Sequence, residues 1–315
     1  MRFVWLLLFV VGCAAAPEPE RDDGRAEPPD PAKLPAQGES LLGEPLEPLE
    51  LSAEVLAAHQ AKWRQADADY AADPSSADAA IWLGRRAAYL GEYRGAIATY
   101  SAALREHPDD ARLYRHRGHR YLSVRELDRA IADFERAGEL INGRPDEIEP
   151  DGLPNAAGIP TSTLQSNIWY HLGLARFVRG EYEDAADAYR RGLAVSTNPD
   201  TLSAMSYWAY LTERRLGRDG AEILAAIEPD LELLENGDYY RLLRLYAGEA
   251  EAPELGEPGT VAFGTVGFGL ANWMIFEGRD EDAHALLQEI VAAGQWPSFG
   301  HLAAEAELRR MRDDG

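Results

Sequence analysis

Residues 77–110 read ADAAIWLGRRAAYLGEYRGAIATYSAALREHPDD, and residues 111–144 read ARLYRHRGHRYLSVRELDRAIADFERAGELINGR. The two stretches match at a spacing of 34 residues, most clearly at small and aromatic positions. Residues 166–199 repeat the pattern 55 residues further on, so an insertion of 21 residues, 145–165, separates the second and third units. The matching positions are Gly84, Gly118 and Gly173; Ala96, Ala130 and Ala185; Tyr100, Phe134 and Tyr189; and Ala103, Ala137 and Gly192.

The small, turn and aromatic positions together resemble the tetratricopeptide (TPR) pattern. Unit two departs from it, with Arg125 in place of the turn glycine and Asn142 in place of the closing proline. The resemblance implies an all-α fold, a right-handed superhelical TPR solenoid of stacked helix-turn-helix units. Glycine in the first helix and alanine in the second let the two helices approach, and the aromatic residue fills the space between them. No unit can bury its apolar face alone, so the units must stack.

Helical patterns continue on both sides of the three units. A helix with Ser52 as its N-cap is predicted to pack on unit one, so that the array occupies residues 51–200. Residues 201–315 are predicted to form divergent TPR-like units and a capping helix. The helices predicted outside the three units are 52–72, 201–216, 221–227, 231–246, 260–277, 281–293 and 299–311.

The N-terminus has the pattern of a targeting signal. Arg2 precedes nine apolar residues, 3–11, a length that suits a signal-peptide core and is too short to span a bilayer. The following Gly12-Cys13 resembles the lipobox of bacterial lipoproteins, which implies a signal peptide over residues 1–12 and lipidation of Cys13. The alternative is an ordinary signal peptide cleaved near Ala14–Ala16, with loss of Cys13. Because Ala rather than Asp follows the cysteine, the resemblance favours the bacterial outer membrane, facing the periplasm.

The segment after the cysteine is predicted to be a disordered, lipid-anchored linker over residues 13–50. Residues 14–50 hold eight prolines, ten acidic and three basic residues, and no aromatic residue. Such a composition buries too little apolar surface to order itself, and it keeps a chain extended. The linker is therefore predicted to hold the folded part on the order of 100 Å from the membrane.

Composition excludes several classes of function. The formal net charge is −23, which gives no general attraction to nucleic acid or to anionic lipid head groups. A single cysteine excludes an internal disulfide framework and a multi-cysteine metal site. No phosphate-binding loop, nucleophile elbow or metalloprotease motif occurs, so the sequence predicts neither an enzyme nor a cofactor or metal.

The groove expected of a TPR array carries the binding hypothesis. In TPR proteins, set positions of the first helix of each unit line the concave face. In this sequence they give a basic, histidine-containing middle flanked by aromatic residues, which suits an acidic segment or a C-terminal carboxylate of a protein or peptide partner. The alternative is that these arginines are ordinary surface residues. The predicted groove-binding residues are Arg85, Tyr89, Arg112, Arg115, His119, Asn167 and Tyr170.

The insertion 145–165 is a second candidate for function, because long irregular loops in compact arrays are usually functional or disordered. Its acidic residues could approach the groove arginines, as a lid or as an internal mimic of an acidic ligand; these are Asp146, Glu147, Glu149 and Asp151. The alternative is a solvated spacer or a cap over the helix ends. His116 and His119 can share a helix face, but the neighbouring arginines disfavour a metal ion there.

The function predicted from these features is a lipid-anchored cell-envelope TPR scaffold, or adaptor, that binds a protein or peptide in its groove. A second prediction is an enzyme or small-ligand receptor with its site between loop 145–165 and the helix that carries Arg115, His116 and His119. Shifted ionisable groups in a closed pocket would favour that site, and an open groove would favour the scaffold. A third is a purely structural spacer.

Overall fold

The computed structural model describes residues 26–313, and this part of the chain is all-helical. It contains two isolated antiparallel bridges, Glu39 with Pro45 and Ile148 with Thr163, and no strand. Within the described range no helix combines the length and the apolar composition needed to cross a bilayer. The predicted signal peptide, 1–12, and Cys13 lie outside the described residues.

Thirteen α-helices and a short 3-10 helix, Pro31–Lys33, make up the described chain. Six of the α-helices, α2 to α7, form the three predicted hairpins, in which each helix packs on the next along the chain. The α-helices are α1 (Ala53–Ala72), α2 (Ala77–Tyr89), α3 (Tyr93–Glu106), α4 (Ala111–Ser123), α5 (Leu127–Leu140), α6 (Leu164–Arg179), α7 (Tyr182–Val195), α8 (Pro199–Arg215), α9 (Ala221–Ala225), α10 (Gly237–Tyr246), α11 (Val261–Phe276), α12 (Asp280–Ala292) and α13 (Phe299–Asp313).

Each hairpin closes through a glycine and an aromatic ring, as the repeat pattern predicts. A Cβ atom on Gly84 would lie 2.4 Å from the Tyr100 ring, and one on Gly173 would lie 2.5 Å from the Tyr189 ring. The equivalent alanines on the second helices, such as Ala96, are fully buried. The predicted TPR-type fold is therefore confirmed at the positions from which it was inferred.

The turn of unit two keeps the repeat geometry without a glycine. Gly91 and Gly180 adopt positive φ angles of 82° at the turns of units one and three, and Arg125 adopts φ 65° at the equivalent place. A non-glycine residue in this region is strained, and it persists only when its surroundings hold it. Arg125 is held by Glu305 of the last helix, through Nε at 3.0 Å and Nη2 at 2.6 Å.

The C-terminal half continues the stacking and then returns to the array. The hairpin formed by α11 and α12 packs against α13, which also contacts α6. Residues 300–308 of α13 are all buried, so α13 is an interior helix rather than a surface cap. The helix predicted over 231–246 starts only at Gly237, because the Asp200 carboxylate accepts hydrogen bonds from the main-chain N–H groups of Leu234, Glu235 and Asn236.

Residues 26–50, called the strap below, lie on the array. The Gln37 side chain accepts a hydrogen bond from the Arg94 main-chain N–H at 3.0 Å, and the Gln37 carbonyl accepts one from Arg94 Nε at 2.7 Å. Leu46 is 3% exposed. The Glu47 carbonyl accepts a hydrogen bond from Trp296 Nε1 at 2.6 Å, so the strap joins the first units to the C-terminal helices.

The predicted disordered linker over 13–50 does not hold for the strap, and its earlier part lies outside the described residues. The average composition of the whole segment does not reveal a short run, residues 41–50, that contains four leucines. These leucines pack on or within the core, and the polar main chain of the strap finds partners on the array. The reason is tertiary, because a chain too polar to fold alone can still bind to a surface that satisfies its hydrogen bonds.

We expect Glu305→Gln to destabilise the fold by about 3–5 kcal/mol, because it leaves the guanidinium of Arg125 buried without an opposite charge. Both side chains are almost inaccessible, at 3% and 0% exposure. Urea unfolding, with limited proteolysis at the strap as a second measurement, checks this. Asp187→Asn, which removes an exposed ion pair with Arg190, is the matched control and should cost under about 1 kcal/mol. Equal losses in the two variants would contradict the prediction.

Candidate functional site

The candidate site lies along the helices that begin successive hairpins, α2, α4 and α6, which contact one another on one face of the array. The predicted groove residues are on these three helices. Two other parts of the chain cover this face in the described structure. The insertion loop, 145–165, lies over its first part, and α13 lies against α6.

A short main-chain ladder holds the insertion loop. The N–H of Glu149 donates to the carbonyl of Ser162 at 3.1 Å, and the N–H of Leu164 donates to the carbonyl of Glu147 at 2.9 Å. These bonds flank the isolated bridge between Ile148 and Thr163. The ladder extends residues 147–149 along the start of α6 and fixes the direction of the Glu149 side chain.

Glu149 occupies a buried polar pocket on α4 and α6. Its Oε2 lies 3.1 Å from Arg115 Nε and accepts a hydrogen bond from Asn167 Nδ2 at 3.2 Å. Its Oε1 lies 3.7 Å from His116 Nε2. Glu149 is 8% exposed and Arg115 is 7% exposed, so the pair is shielded from water. The predicted approach of the loop carboxylates to the groove arginines is therefore observed for Glu149.

The main chain that follows Glu149 is held by two arginines of α2. Arg85 Nη1 donates to the carbonyl of Pro150 at 2.8 Å, and Arg86 Nη1 donates to the carbonyl of Gly152 at 2.9 Å. A Cβ atom on Gly152 would lie 1.8 Å from the Tyr89 hydroxyl, so the backbone lies directly against Tyr89. Arg85 and Tyr89 were predicted for the groove, whereas Arg86 was not, because its position in the repeat lies outside the expected lining set.

The other predicted groove residues divide between an edge and an interior. Arg112 lies at the edge, where Asp110 and Asp78 bind its guanidinium at 2.7 and 2.6 Å and raise its pKa. Tyr170 lies inside, where its hydroxyl accepts a hydrogen bond from Trp208 Nε1 at 2.9 Å and lies 3.0 Å from the Tyr239 hydroxyl.

Aromatic and imidazole rings fill the middle of the face. The rings of His119 and His171 are 4.4 Å apart, and Phe299 of α13 packs on both, at 5.5 and 5.4 Å. His116 stacks on Tyr100 at 5.9 Å. Phe299 could not be assigned to this site from the sequence, because no repeat position places α13 against α6.

Burial lowers the pKa of His116, His119 and His171 well below the usual histidine value, and neighbouring arginines, chiefly Arg115 and Arg120, lower it further. The three imidazoles are therefore neutral near pH 7. Among residues 26–313 no group of three or more His, Cys, Asp or Glu side chains is arranged to hold a metal ion.

The space proposed for a small ligand lies between the loop and the helix with Arg115, His116 and His119, and its inner part is filled by packed rings and by the Glu149 carboxylate. A cleft of about 230 Å³ remains between the two, lined by Trp82 and His116 on the helices and by Ile148 and Glu149 on the loop. A larger cleft of about 880 Å³ lies elsewhere, between α5, α6 and α7 around Trp169. Arg115, His119 and His171 thus lie in packed protein, whereas the cleft beside His116 leaves open space at the predicted place.

Comparison with protein-family models found no match, and comparison with curated proteins found none. Among solved structures the chain is similar to YrrB, a TPR protein with an unusual peptide-binding site, over 72% of this chain and 91% of that one, at 15% identity and a TM-score of 0.40. It is similar to MamA from AMB-1 over 62% of this chain and 97% of that one, at 17% identity and a TM-score of 0.40. It is similar to the APC/C hetero-tetramer Cut9–Hcn1 over 84% of this chain and 49% of that one, at 12% identity and a TM-score of 0.35.

We expect the stability of the protein to fall as the pH drops below about 6.5, because unfolding lets the buried histidines take up protons that the folded state excludes. At pH 5.5 each histidine that stays neutral when folded costs about 1.4 kcal/mol of stability. Chemical unfolding at pH 7.5 and 5.5 measures this difference. The variant His119→Phe should show a smaller difference than the wild type.

Phe299→Leu is the control for that experiment, because it disturbs the same contacts and keeps the three histidines. Its stability should fall with pH as the wild type's does. A wild type that is equally stable at both pH values would show that the histidines do not govern acid stability.

Proposed function

We propose that this protein is a non-enzymatic, lipid-anchored TPR scaffold of the bacterial cell envelope that binds an extended acidic segment of a partner protein in its groove. TPR-type arrays serve in general as protein-interaction scaffolds, because stacked hairpins present an extended surface. The observation that supports this function most directly is the Glu149 carboxylate beside Arg115 and Asn167. The groove already accommodates an extended acidic peptide, which is the chain's own loop.

The charges around the groove support an acidic partner. A protein of net charge −23 repels acidic chains in general, so a cationic site within it discriminates in favour of segments that reach Arg115, Arg85 and Arg86. The guanidinium groups also suit a terminal carboxylate, which they can bind in two-point contacts. We therefore propose a protein or peptide partner and no nucleic acid.

The expected test is capture of a partner from envelope extract with the full chain purified in mild detergent. The bait is Gly152→Ala, in which a Cβ atom forces the loop away from Tyr89. It should retain an envelope protein more strongly than the wild type does. Adding Arg85→Ala and Arg86→Ala to the bait should abolish retention, whereas adding Arg190→Ala, at an exposed arginine, should not.

Two results would contradict the groove as the binding site. One is equal capture by the bait with and without the two α2 arginines. The other is capture that a soluble peptide of residues 146–154, DEIEPDGLP, does not compete. The retained protein should also lose binding when an acidic, extended segment is deleted from it, which ties the capture to the proposed chemistry.

Anchoring is proposed through Cys13, with the protein at the outer membrane and facing the periplasm. Twelve residues, 14–25, lie between Cys13 and the strap, so the distance from Cys13 to residue 26 is no more than about 45 Å. The folded part is therefore proposed to lie closer to the membrane than a linker of 37 residues would hold it.

We expect Cys13→Ser to move the protein from the membrane fraction to the soluble fraction or to block its processing, and to prevent labelling with a radioactive fatty acid. Fractionation and labelling of the bacterial host measure both effects. Ala14→Ser is the matched control and should leave both unchanged. Labelling that persists in Cys13→Ser would contradict lipidation at this residue.

A further inference from the structure

The insertion loop is bound as a peptide ligand is bound, through its main chain and one side chain. The first set of contacts is the ladder to residues 162–164, where the loop leads into α6: the carbonyl of Glu147 pairs with the N–H of Leu164 at 2.9 Å, and the N–H of Glu149 pairs with the carbonyl of Ser162 at 3.1 Å. Main-chain pairing of this type gives affinity for any extended segment without regard to its sequence. Selectivity must come from the other contacts.

The carboxylate pocket selects the glutamate. Arg115 is 93% buried, and its Nε has no hydrogen-bond partner in the described structure although Glu149 Oε2 lies 3.1 Å away. The N–H is thus not aimed at the oxygen, and the loop compensates this buried cation only in part. A buried donor that lacks a hydrogen bond favours any carboxylate that meets it at a better angle.

The groove residues that hold the backbone after the glutamate favour a glycine three residues further along the segment. Arg85 and Arg86 bind the carbonyls of Pro150 and Gly152, which brings the Gly152 Cα against Tyr89. A Cβ atom at this position would lie 1.8 Å from the Tyr89 hydroxyl and 2.9 Å from Arg85 Nη2. A residue with a Cβ atom fits there only if the backbone leaves the two arginines or the side chains of Tyr89 and Arg85 move.

The loop is held without apolar anchors along most of its length. Ile148, Leu153 and Ile159 are 68%, 58% and 54% exposed, although each could contribute to a core if the loop were packed in place. The contacts that remain are polar and can be replaced one for one by an equivalent segment. Leaving the groove therefore costs little burial of apolar surface.

From these contacts we propose that the groove recognises the sequence Glu-x-x-Gly in an extended segment of a partner protein, and that Glu149 to Gly152 is an intramolecular copy that the partner displaces. The proposal rests on the function proposed above and adds the rule of recognition. The buried, incompletely paired Arg115 is the reason that a second carboxylate can compete with the first. The free loop then becomes available to solvent.

Fluorescence anisotropy with labelled DEIEPDGLP tests the rule on the full chain in mild detergent. The Gly152→Ala protein, whose own loop is excluded, should bind this peptide at least about tenfold more tightly than the wild type does. Peptides with the second glutamate changed to glutamine, or with glycine changed to alanine, should each bind about tenfold more weakly. A scrambled peptide of the same composition controls for charge.

Hydrogen exchange of the wild-type protein provides a measurement that needs no loop variant. Excess DEIEPDGLP should accelerate exchange at the amide of Glu149, because displacement of the loop breaks its hydrogen bond to the Ser162 carbonyl. The glutamine and alanine peptides should not accelerate it. Circular dichroism and thermal unfolding establish that Gly152→Ala is folded.

The rule is overturned if the glutamine and alanine peptides bind as tightly as the parent, or if the parent neither binds Gly152→Ala nor accelerates exchange. A wild-type protein that dimerises, with hydrogen exchange showing the loop of one copy in the groove of the other, would overturn the assignment to a separate partner. Capture of an envelope protein that all three peptides compete equally would leave the scaffold function standing and remove only the rule.

Discussion

The buried ion pair between Arg125 and Glu305 connects the second hairpin of the array to the last helix. Arg125 lies in the turn of the second hairpin with a positive φ angle, and Glu305 lies in the middle of the last helix. Glu305 also accepts hydrogen bonds from the main-chain N–H of Leu41 and from His301. Although burial raises the pKa of Glu305, the His301 and Arg125 hydrogen bonds lower it to about 2. Strap, array and last helix thus share one carboxylate, whose stabilising effect is complete above pH 4.5 and is lost as the pH falls toward 2.

Because of this connection, the inner face of the solenoid is partly covered by the end of the described chain. An open array of repeats is stabilised by contacts between neighbours, and its inner face remains free. Here α13 returns to α6, and Arg310 binds the carbonyl of Val178 at the end of that helix. The contacts between distant parts of the chain make one folded body of the array and its C-terminal half. The part of this face that α13 leaves uncovered is the side on which the insertion loop lies.

The loop gives that side its chemistry. Its main chain pairs with the start of α6, its glutamate enters the cationic pocket, and its glycine allows two arginines to hold the backbone. The contacts of the loop thus indicate the shape and charge of the groove and the position at which it leaves no room for a side chain. The histidines behind it are neutral and packed, so they support the pocket wall and leave the positive charge to the arginines.

The sequence by itself determined the helical hairpins, because glycine, alanine and aromatic residues each recur after 34 residues. These small and aromatic residues identify the helix surfaces that must approach one another. It also indicated that a loop carboxylate would approach the groove arginines. It could not place the strap on the array, the last helix inside it, or Arg86 and Gly152 in the site. Those contacts join residues far apart in the chain, as Leu41 to Glu305 and Arg86 to Gly152 do. Only the tertiary structure decided them, because the hydrogen bonds and charges that fix such residues belong to partners that local patterns do not identify.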